Sequence, residues 1–445
     1  MTPRIAAYET LLRCEKEKQY SNIAINNALK KYAFEKRDRD FYTQLVYGVI
    51  ERKLTLDYIV KQYTGKSVGR LDLSVLIILR LSLYQIYFLD KIPASAAVSE
   101  GVKLAARFAS RAKGYVNAIL RKASQNQVLY PTEGHNPLSY VLSIRYSVNE
   151  EIVKLLLAQY PERTPAILDA YFNVPTISFQ INSQHLTPEE FITRYELDAK
   201  RIIALPFGVK MDGNCSLSDK PFLENGEAFV QDVASQLTTV FLDPEPSDVI
   251  IDVCSCPGGK SFSAANMMLS RGATSGRILS CDLHESKLSL VQSGADRLGY
   301  SFISTICHDA TVTLEECRGI ADKVICDVPC SGLGVIAKKP EIRYKDITEI
   351  NALPSIQYNI LETAATYLKS GGTLLYSTCT VNRCENEEVV NRFLKEHTEF
   401  SLEVLALPNS EFSAISNDRG LTLFPSLLHD GFFIAKLIKA KKPVC

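Results

Sequence analysis

Val249-Ile250-Ile251-Asp252-Val253-Cys254-Ser255-Cys256-Pro257-Gly258-Gly259-Lys260-Ser261 is the stretch whose reading decides the fold. An apolar run ends in a carboxylate, a turn with two glycines follows, and a polar helix start closes it. Gly258 and Gly259 let the backbone approach a ligand closely at a helix N-terminus. Working outward, similar apolar runs stand at Arg277 to Cys281, Ser304 to Cys307, Lys323 to Cys326 and Thr373 to Tyr376, with helical stretches between. This is the alternation of a doubly wound α/β sheet with parallel strands, whose ligands bind at the carboxyl ends of the strands. The unusual residues fall there: Asp282 after Cys281, Asp309, Asp327-Val328-Pro329-Cys330-Ser331-Gly332-Leu333-Gly334, and Tyr376-Ser377-Thr378-Cys379-Thr380.

Several chemistries fail on spacing. A phosphate-binding P-loop needs Gly five residues before Gly259, and position 254 is Cys. The dinucleotide fingerprint G-x-G-x-x-G is absent. His284-Glu285 is followed by Leu288 where a metalloprotease needs its second His. A zinc deaminase needs Cys three residues after Cys330, where Leu333 stands. No C-x-x-C pair occurs among the twelve cysteines, so no metal is expected. Asp282 suits ribose hydroxyls or the N-cap of the next helix. Cys330 and Cys379 read as two thiols at adjacent strand ends, or as small buried hydrophobes. Cys256, Cys281, Cys307 and Cys326 are expected to fill the core.

The whole chain carries 50 basic and 50 acidic residues, but residues 1–130 hold 22 basic against 11 acidic. That imbalance suits a polyanionic partner. Apolar spacing over Arg4 to Cys14, Ile23 to Ala33, Phe41 to Ile50 and Val98 to Phe108 predicts an all-α bundle over residues 1–130. The run Leu73 to Leu89 contains Arg80 and Gln85 and is too short to span a membrane, so it predicts a buried helix. Lys103, Arg107 and Arg111 are spaced by four and are expected on one helix face. Residues 131–145 read as a linker, Ser147 to Glu150 as a capping box, Pro175 to Asn182 as a strand and Thr187-Pro188-Glu189-Glu190 as a helix start. The expected domains are 1–130, a small α+β piece over 131–225, and the α/β domain over 226–445. The start Met1-Thr2-Pro3-Arg4 has no apolar signal region, and the cysteine pattern suits a reducing cytoplasm.

Taken together, Asp252 to Ser261, Asp327 to Gly334 and Ser377-Thr378-Cys379 resemble the RNA cytosine-5 methyltransferases that use S-adenosyl-L-methionine. Gln231-Asp232-Val233-Ala234-Ser235-Gln236 and Asp430-Gly431-Phe432-Phe433 fit the same family. Asp38-Arg39-Asp40, Tyr47-Gly48-Val49, Tyr84-Gln85, Ile92-Pro93 and Asn117 to Arg121 resemble the NusB-like domain of its RsmB/Sun branch. Fold and function expectations follow from the resemblance. They are a NusB-like RNA-binding bundle, a small α+β subdomain and a Rossmann-like class I methyltransferase domain. The implied substrate is a single-stranded or flipped-out cytosine of 16S ribosomal RNA, position 967, met by a monomer. Departures are Ser255-Cys256 for the usual Ala-Ala, Ser261 for Thr, and Gln180 for an Arg that would touch RNA.

The resemblance also implies roles. Cys379 is the nucleophile that adds to carbon 6 of cytosine, making carbon 5 reactive toward a sulfonium methyl. Asp327 holds the N3/N4 edge of the ring and borders the cofactor. Cys330 assists loss of the carbon-5 proton and release of RNA. Cys254, Ser255, Cys256, Pro257, Gly258, Gly259 and Lys260 wrap the methionine part of the cofactor, Asp282 the ribose and Asp309 the adenine. Lys260 is the candidate cation for the Cys379 thiolate, and Lys338-Lys339 would hold the RNA backbone. Two other readings remain: a tRNA cytosine-5 methyltransferase, and an RNA-binding assembly factor with a dead catalytic domain.

Overall fold

A computed structural model describes residues 1–174, 176–211, 220–407 and 411–441. The chain forms two compact units, one of residues 1–169 with 339–346 and one of residues 170–338 with 347–445. The first unit is helical. It contains α1 (Pro3–Glu17), α2 (Ser21–Lys31), α3 (Lys36–Glu51), α4 (Lys53–Thr64), α5 (Leu73–Phe88), α6 (Ala94–Phe108) and α7 (Lys113–Ser124). It continues through α8 (Leu138–Tyr146) and α9 (Glu150–Gln159) to α10 (Thr164–Ala170).

Helix α5 is the stretch read as a buried helix, and every residue from Val75 to Gln85 is buried. A helix apolar on all sides must be surrounded. Its one buried charge is satisfied: Arg80 donates to both Asp57 carboxylate oxygens at 2.6 and 2.8 Å and to Glu15 at 2.8 Å. Asp72 caps the helix through the Ser74 and Val75 N–H groups.

Three local expectations change. Residues 138–146 are helix, not linker, because α8 packs on α4: the Thr55 hydroxyl donates to Ile144 O at 2.6 Å and Leu54 N–H donates to Ser147 Oγ at 2.9 Å. Ser147 therefore ends α8 in a left-handed conformation, φ 54°, and Asn149 rather than Ser147 caps α9. Helix α6 ends at Phe108, so Arg111 lies in a 3-10 turn over Ser110–Ala112 and only Lys103 and Arg107 share the helix. Lys103 is also paired with Glu100 at 2.7 Å.

The first unit includes a segment from far along the chain. Tyr344 donates its hydroxyl to Ile50 O at 2.5 Å, accepts from Lys53 N–H at 3.1 Å and meets Ser147 Oγ at 3.0 Å. Glu341 accepts from the N–H of Ser21, the first residue of α2, at 2.5 Å. These bonds account for the excursion at 339–346; the units divide at residue 169, where the sequence reading has limits at 130 and 225.

The second unit opens on a small antiparallel sheet of β1 (Ser178–Ile181), β2 (Ala199–Arg201), β3 (Gly208–Met211) and β4 (Ala228–Val230), in the order β2-β3-β1-β4. Helices α11 (Pro188–Arg194) and α12 (Pro221–Glu224) accompany it. Phe179, Phe191 and Phe222 form its core, and Thr187 with Glu190 makes the expected capping box. The predicted strand start at Pro175 lies outside the described residues.

The large sheet follows α13 (Val233–Leu242). Its first part alternates β5 (Val249–Asp252), α14 (Gly259–Ser270), β6 (Arg277–Asp282), α15 (Glu285–Leu298), β7 (Ile303–Cys307), β8 (Ala321–Asp327), α16 (Ile347–Thr366) and β9 (Leu368–Thr378). After α17 (Glu387–Glu396) come β10 (Phe400–Glu403), β11 (Ala414–Asn417), β12 (Gly420–Leu423) and β13 (Phe432–Lys439). The strand order is β11-β12-β13-β9-β8-β5-β6-β7, with β10 also on β13. The predicted strands pair in parallel, β5 between β6 and β8. The sheet as a whole is mixed, because β13 runs antiparallel to β9 and carries the β11-β12 hairpin.

Candidate active site

Strand β5 sits where the connections change direction, the switch point at which doubly wound sheets bind ligands. Its last residue, Asp252, is buried and accepts from the Ser261 hydroxyl at 2.7 Å. Burial pushes its carboxyl up to about 7. The loop to α14 is tied on both sides: Val253 N–H donates to Ile325 O at 3.0 Å and Ser255 N–H to Cys281 O at 2.8 Å. Gly258 ends the loop at φ 104°, a conformation that disfavours a side chain, and a Cβ there would lie 2.4 Å from the Phe262 ring. Ser255 Oγ is buried and has no hydrogen-bond partner among the described residues. Burial raises the Cys254 and Cys256 thiols, so neither reads as a nucleophile.

Two acids follow along the same edge. Asp282 accepts from His284 N–H at 3.1 Å through one oxygen, and His284, not Asp282, is the N-cap of α15. Asp309 is exposed two residues beyond β7, where the Thr311 N–H and hydroxyl hold it at 2.9 and 2.8 Å and lower its pKa.

On the other side of β5, Asp327 ends β8. One oxygen accepts from Lys260 Nζ at 2.6 Å and the other from Ser377 Oγ at 2.7 Å. The Lys260 ammonium also lies 5.1 Å from the centre of the Phe432 ring. The sequence reading set Lys260 beside the Cys379 thiol; its ammonium is instead committed to a carboxylate, the stronger partner at this range.

The two cysteines meet. Cys330 Sγ and Cys379 Sγ are 2.9 Å apart, both half-buried, with no disulfide between them. The loops that carry them are stapled together. Glu385, fully buried, accepts from Ser331 N–H at 2.7 Å, Gln357 Nε2 at 3.0 Å and Asn382 Nδ2 at 2.9 Å. Ser331 Oγ meets Thr380 Oγ1 at 2.8 Å. Glu385 was missed in the sequence because it stands in the polar run Asn382 to Glu388, which reads as a solvated loop. Its partners come from two other parts of the chain, and no periodicity reports that. The hydrogen bond with Cys379 is the first cause that raises the Cys330 thiol, ahead of burial. Two thiols this close titrate as a pair, so ionising one of them makes it costly to ionise the other.

Other expectations move away from the site. Lys338 Nζ is ion-paired with Asp232 and Asp430, at 2.7 Å each, so it is no free cation for RNA. Gln180 is buried, with its amide on Ser263 of α14, so that position faces the interior. Cys281 and Cys326 are core residues, Cys256 is half-buried and Cys307 is exposed. Among the described residues no group of three or more His, Cys, Asp or Glu could hold a metal, and no helix is long and apolar enough to cross a membrane.

A Rossmann-like domain with a mixed sheet, behind a NusB-type helical domain, defines a class of two-part methyltransferase. Residues 239–438 match the family model for 16S rRNA methyltransferase RsmB/F, and residues 1–125 match the NusB family. The chain is 32% identical to the probable ribosomal RNA small subunit methyltransferase B of Synechocystis sp., over 99% of this chain and all of that one. It is equally identical to the protein of the same name from Bacillus subtilis, over 98% of each. The crystal structure of PH0851 matches over 99% of both chains with a TM-score of 0.82 at 24% identity, a likeness of fold. The chain belongs to the RsmB/F methyltransferase family and is an enzyme of that kind.

Proposed function

We propose that the protein transfers a methyl group from S-adenosyl-L-methionine to carbon 5 of a cytosine in 16S ribosomal RNA, at position 967, through a covalent bond between Cys379 and carbon 6. The observation that carries this reading is the 2.9 Å approach of Cys330 and Cys379 beside Asp327. The relatives' name, ribosomal RNA small subunit methyltransferase B, supports the substrate.

The residues present fit the cofactor. A buried Ser255 hydroxyl without a partner and the N–H groups opening α14 suit an amino-acid carboxylate. The free oxygen of Asp282 suits a ribose hydroxyl, and Asp309 stands at the next strand end for the adenine. Cys254 to Lys260 would hold the methionine part. When bound, S-adenosyl-L-methionine supplies the methyl.

The chain's own groups do the rest. The Cys330 thiol proton stabilises the Cys379 thiolate before attack. The bond from Cys379 to carbon 6 makes carbon 5 electron-rich. Asp327, held between Lys260 and Ser377, is oriented to grip the N3/N4 edge of the ring. After attack Cys330 releases its own proton to solvent; as a thiolate it accepts the carbon-5 proton, and the electrons of the C–H bond re-form the ring double bond as Cys379 leaves as thiolate. A base stacked in a helix cannot reach the thiol, so the target is single-stranded or flipped out, at a cost of a few kcal/mol for the flip.

The test is transfer of labelled methyl from S-adenosyl-L-methionine to unmodified 16S ribosomal RNA, followed by nuclease digestion and chromatography. Label in 5-methylcytidine is expected. Label only in tRNA would move the substrate and keep the mechanism. No label in either RNA would favour an assembly factor.

A further inference from the structure

The stretches Gln231–Gln236 and Asp430–Phe433 have no part in the chemistry above, yet the structure ties them to both halves of the site. Asp232 caps α13, accepting from Ala234 N–H at 2.9 Å. Asp430 stands two residues before β13. The ammonium of Lys338 joins them, 2.7 Å from one oxygen of each. Asp430 N–H also approaches the Asp232 carboxylate, at 3.3 and 3.4 Å. Both carboxylates are mostly buried. His429 is buried beside them with Nδ1 on Asp430 O at 2.8 Å, and burial lowers its pKa, so it adds no charge near neutrality.

Each end of this clasp leads to the site through one neighbouring residue. Next to Asp430, Gly431 N–H donates to Gly334 O at 2.9 Å, and Gly334 N–H donates to Cys379 O at 3.0 Å. The backbones touch there: a Cβ on Gly334 would lie 1.9 Å from Gly431 O. Next to Asp232, Gln231 Nε2 donates to Gly259 O at 3.0 Å, at the start of α14. The cavity beside the clasp, about 10 Å³, is lined by Thr176, Pro425 and His429 among others. It has room for about one water, so the cluster is no ligand site.

We propose that Asp232, Lys338 and Asp430 are positioning residues that hold the backbone of Cys379 in register with the 253–259 loop, and so set the distance between nucleophile and methyl donor. This rests on the reading of Cys379 as nucleophile and of that loop as the cofactor site. The physical motive is geometric sensitivity: a misplacement of about 1 Å costs roughly a hundredfold in rate. One ammonium between two carboxylates from distant segments is a rigid way to fix it. A Lys338 that served RNA instead would be found facing solvent, as Lys103 does, rather than held between two mostly buried carboxylates.

The test compares Lys338→Met, Lys338→Arg and Asp430→Asn in the full-length protein, each checked for folding by thermal melting. Two quantities are read. The first is kcat for methyl transfer, beside the KM for RNA and the affinity for S-adenosyl-L-methionine. The second is the rate at which iodoacetamide alkylates Cys379 without RNA, followed by peptide mass spectrometry. Expected for Lys338→Met is a fall in kcat of roughly tenfold or more with KM and cofactor affinity nearly unchanged. Its Cys379 alkylation rate should change severalfold, and Lys338→Arg should restore both. If Lys338→Met does not fold, Asp430→Asn, which keeps the shape of the side chain, decides in its place. A folded variant with wild-type kcat, or with unchanged alkylation, overturns the proposal. So does a loss confined to the KM for RNA. If wild-type protein methylates no RNA, the underlying reading fails, and alkylation alone then decides whether the clasp places Cys379.

Discussion

Two sulfur atoms 2.9 Å apart cannot both carry charge cheaply, and the hydrogen bond between them is the first cause that raises the Cys330 thiol. Cys379→Ala should therefore abolish methyl transfer while sparing RNA binding in a filter assay, whereas Cys330→Ala should leave a covalent RNA adduct visible on a denaturing gel. Asp252 makes a separate prediction. Its carboxyl is raised to about 7 in the folded state against about 4 in the unfolded chain. A raised group gives stability that is complete below the unfolded value and is lost as pH climbs through the folded one. The melting temperature should fall between about pH 4 and 7 and level off above, and Asp252→Asn should flatten that part of the curve. Much at this scale was legible in advance. Cys379, Cys330 and Asp327 are carried by short motifs at strand ends, so their convergence follows from sheet topology. The commitment of Lys260 to Asp327 was not legible, because a motif gives a side chain's origin and not its partner.

Elements were read best where one period dominates. Helix α5 and the parallel strands β5 to β9 each bury long apolar runs, and such runs announce themselves. Helix α8 was hidden by Pro137 and Gly134, which look like a linker until Thr55 and Leu54 of α4 are seen to bind its carboxyl end. Strands β11 and β12 are four residues each and take their register from a partner rather than from their own pattern. Two substitutions probe the packing. Arg80→Ala strands Asp57 and Glu15 in or near the bundle core, and it should cost about 3–5 kcal/mol in urea unfolding of the helical unit. Gly334→Ala forces a Cβ against Gly431 O, and should cost about 1–3 kcal/mol with loss of methyl transfer.

Across the whole molecule, residues 1–130 carry a basic excess and the rest of the chain an acidic one, a division that suits a polyanionic partner at the helical end. Lys103 and Arg107 are exposed on α6. Replacing both with Ala should reduce the salt dependence of RNA binding by about 0.7 in the logarithmic slope for each phosphate of a single strand that is no longer neutralised. Nothing local in the sequence marks residues 339–346 as belonging to the helical unit. That excursion bears on how the protein is made. Ser21 and Glu341 are 320 residues apart, and at roughly 5–20 residues per second translation needs tens of seconds to connect them. Throughout that interval the nascent bundle lacks the acceptor for α2 and the hydroxyl that joins Ile50, Lys53 and Ser147. The N-terminal half is completed by a residue pair that leaves the ribosome only after the Cys330 loop has been synthesised. A chain that stops before residue 341 leaves the Ser21 N–H and the Ile50 carbonyl without these partners.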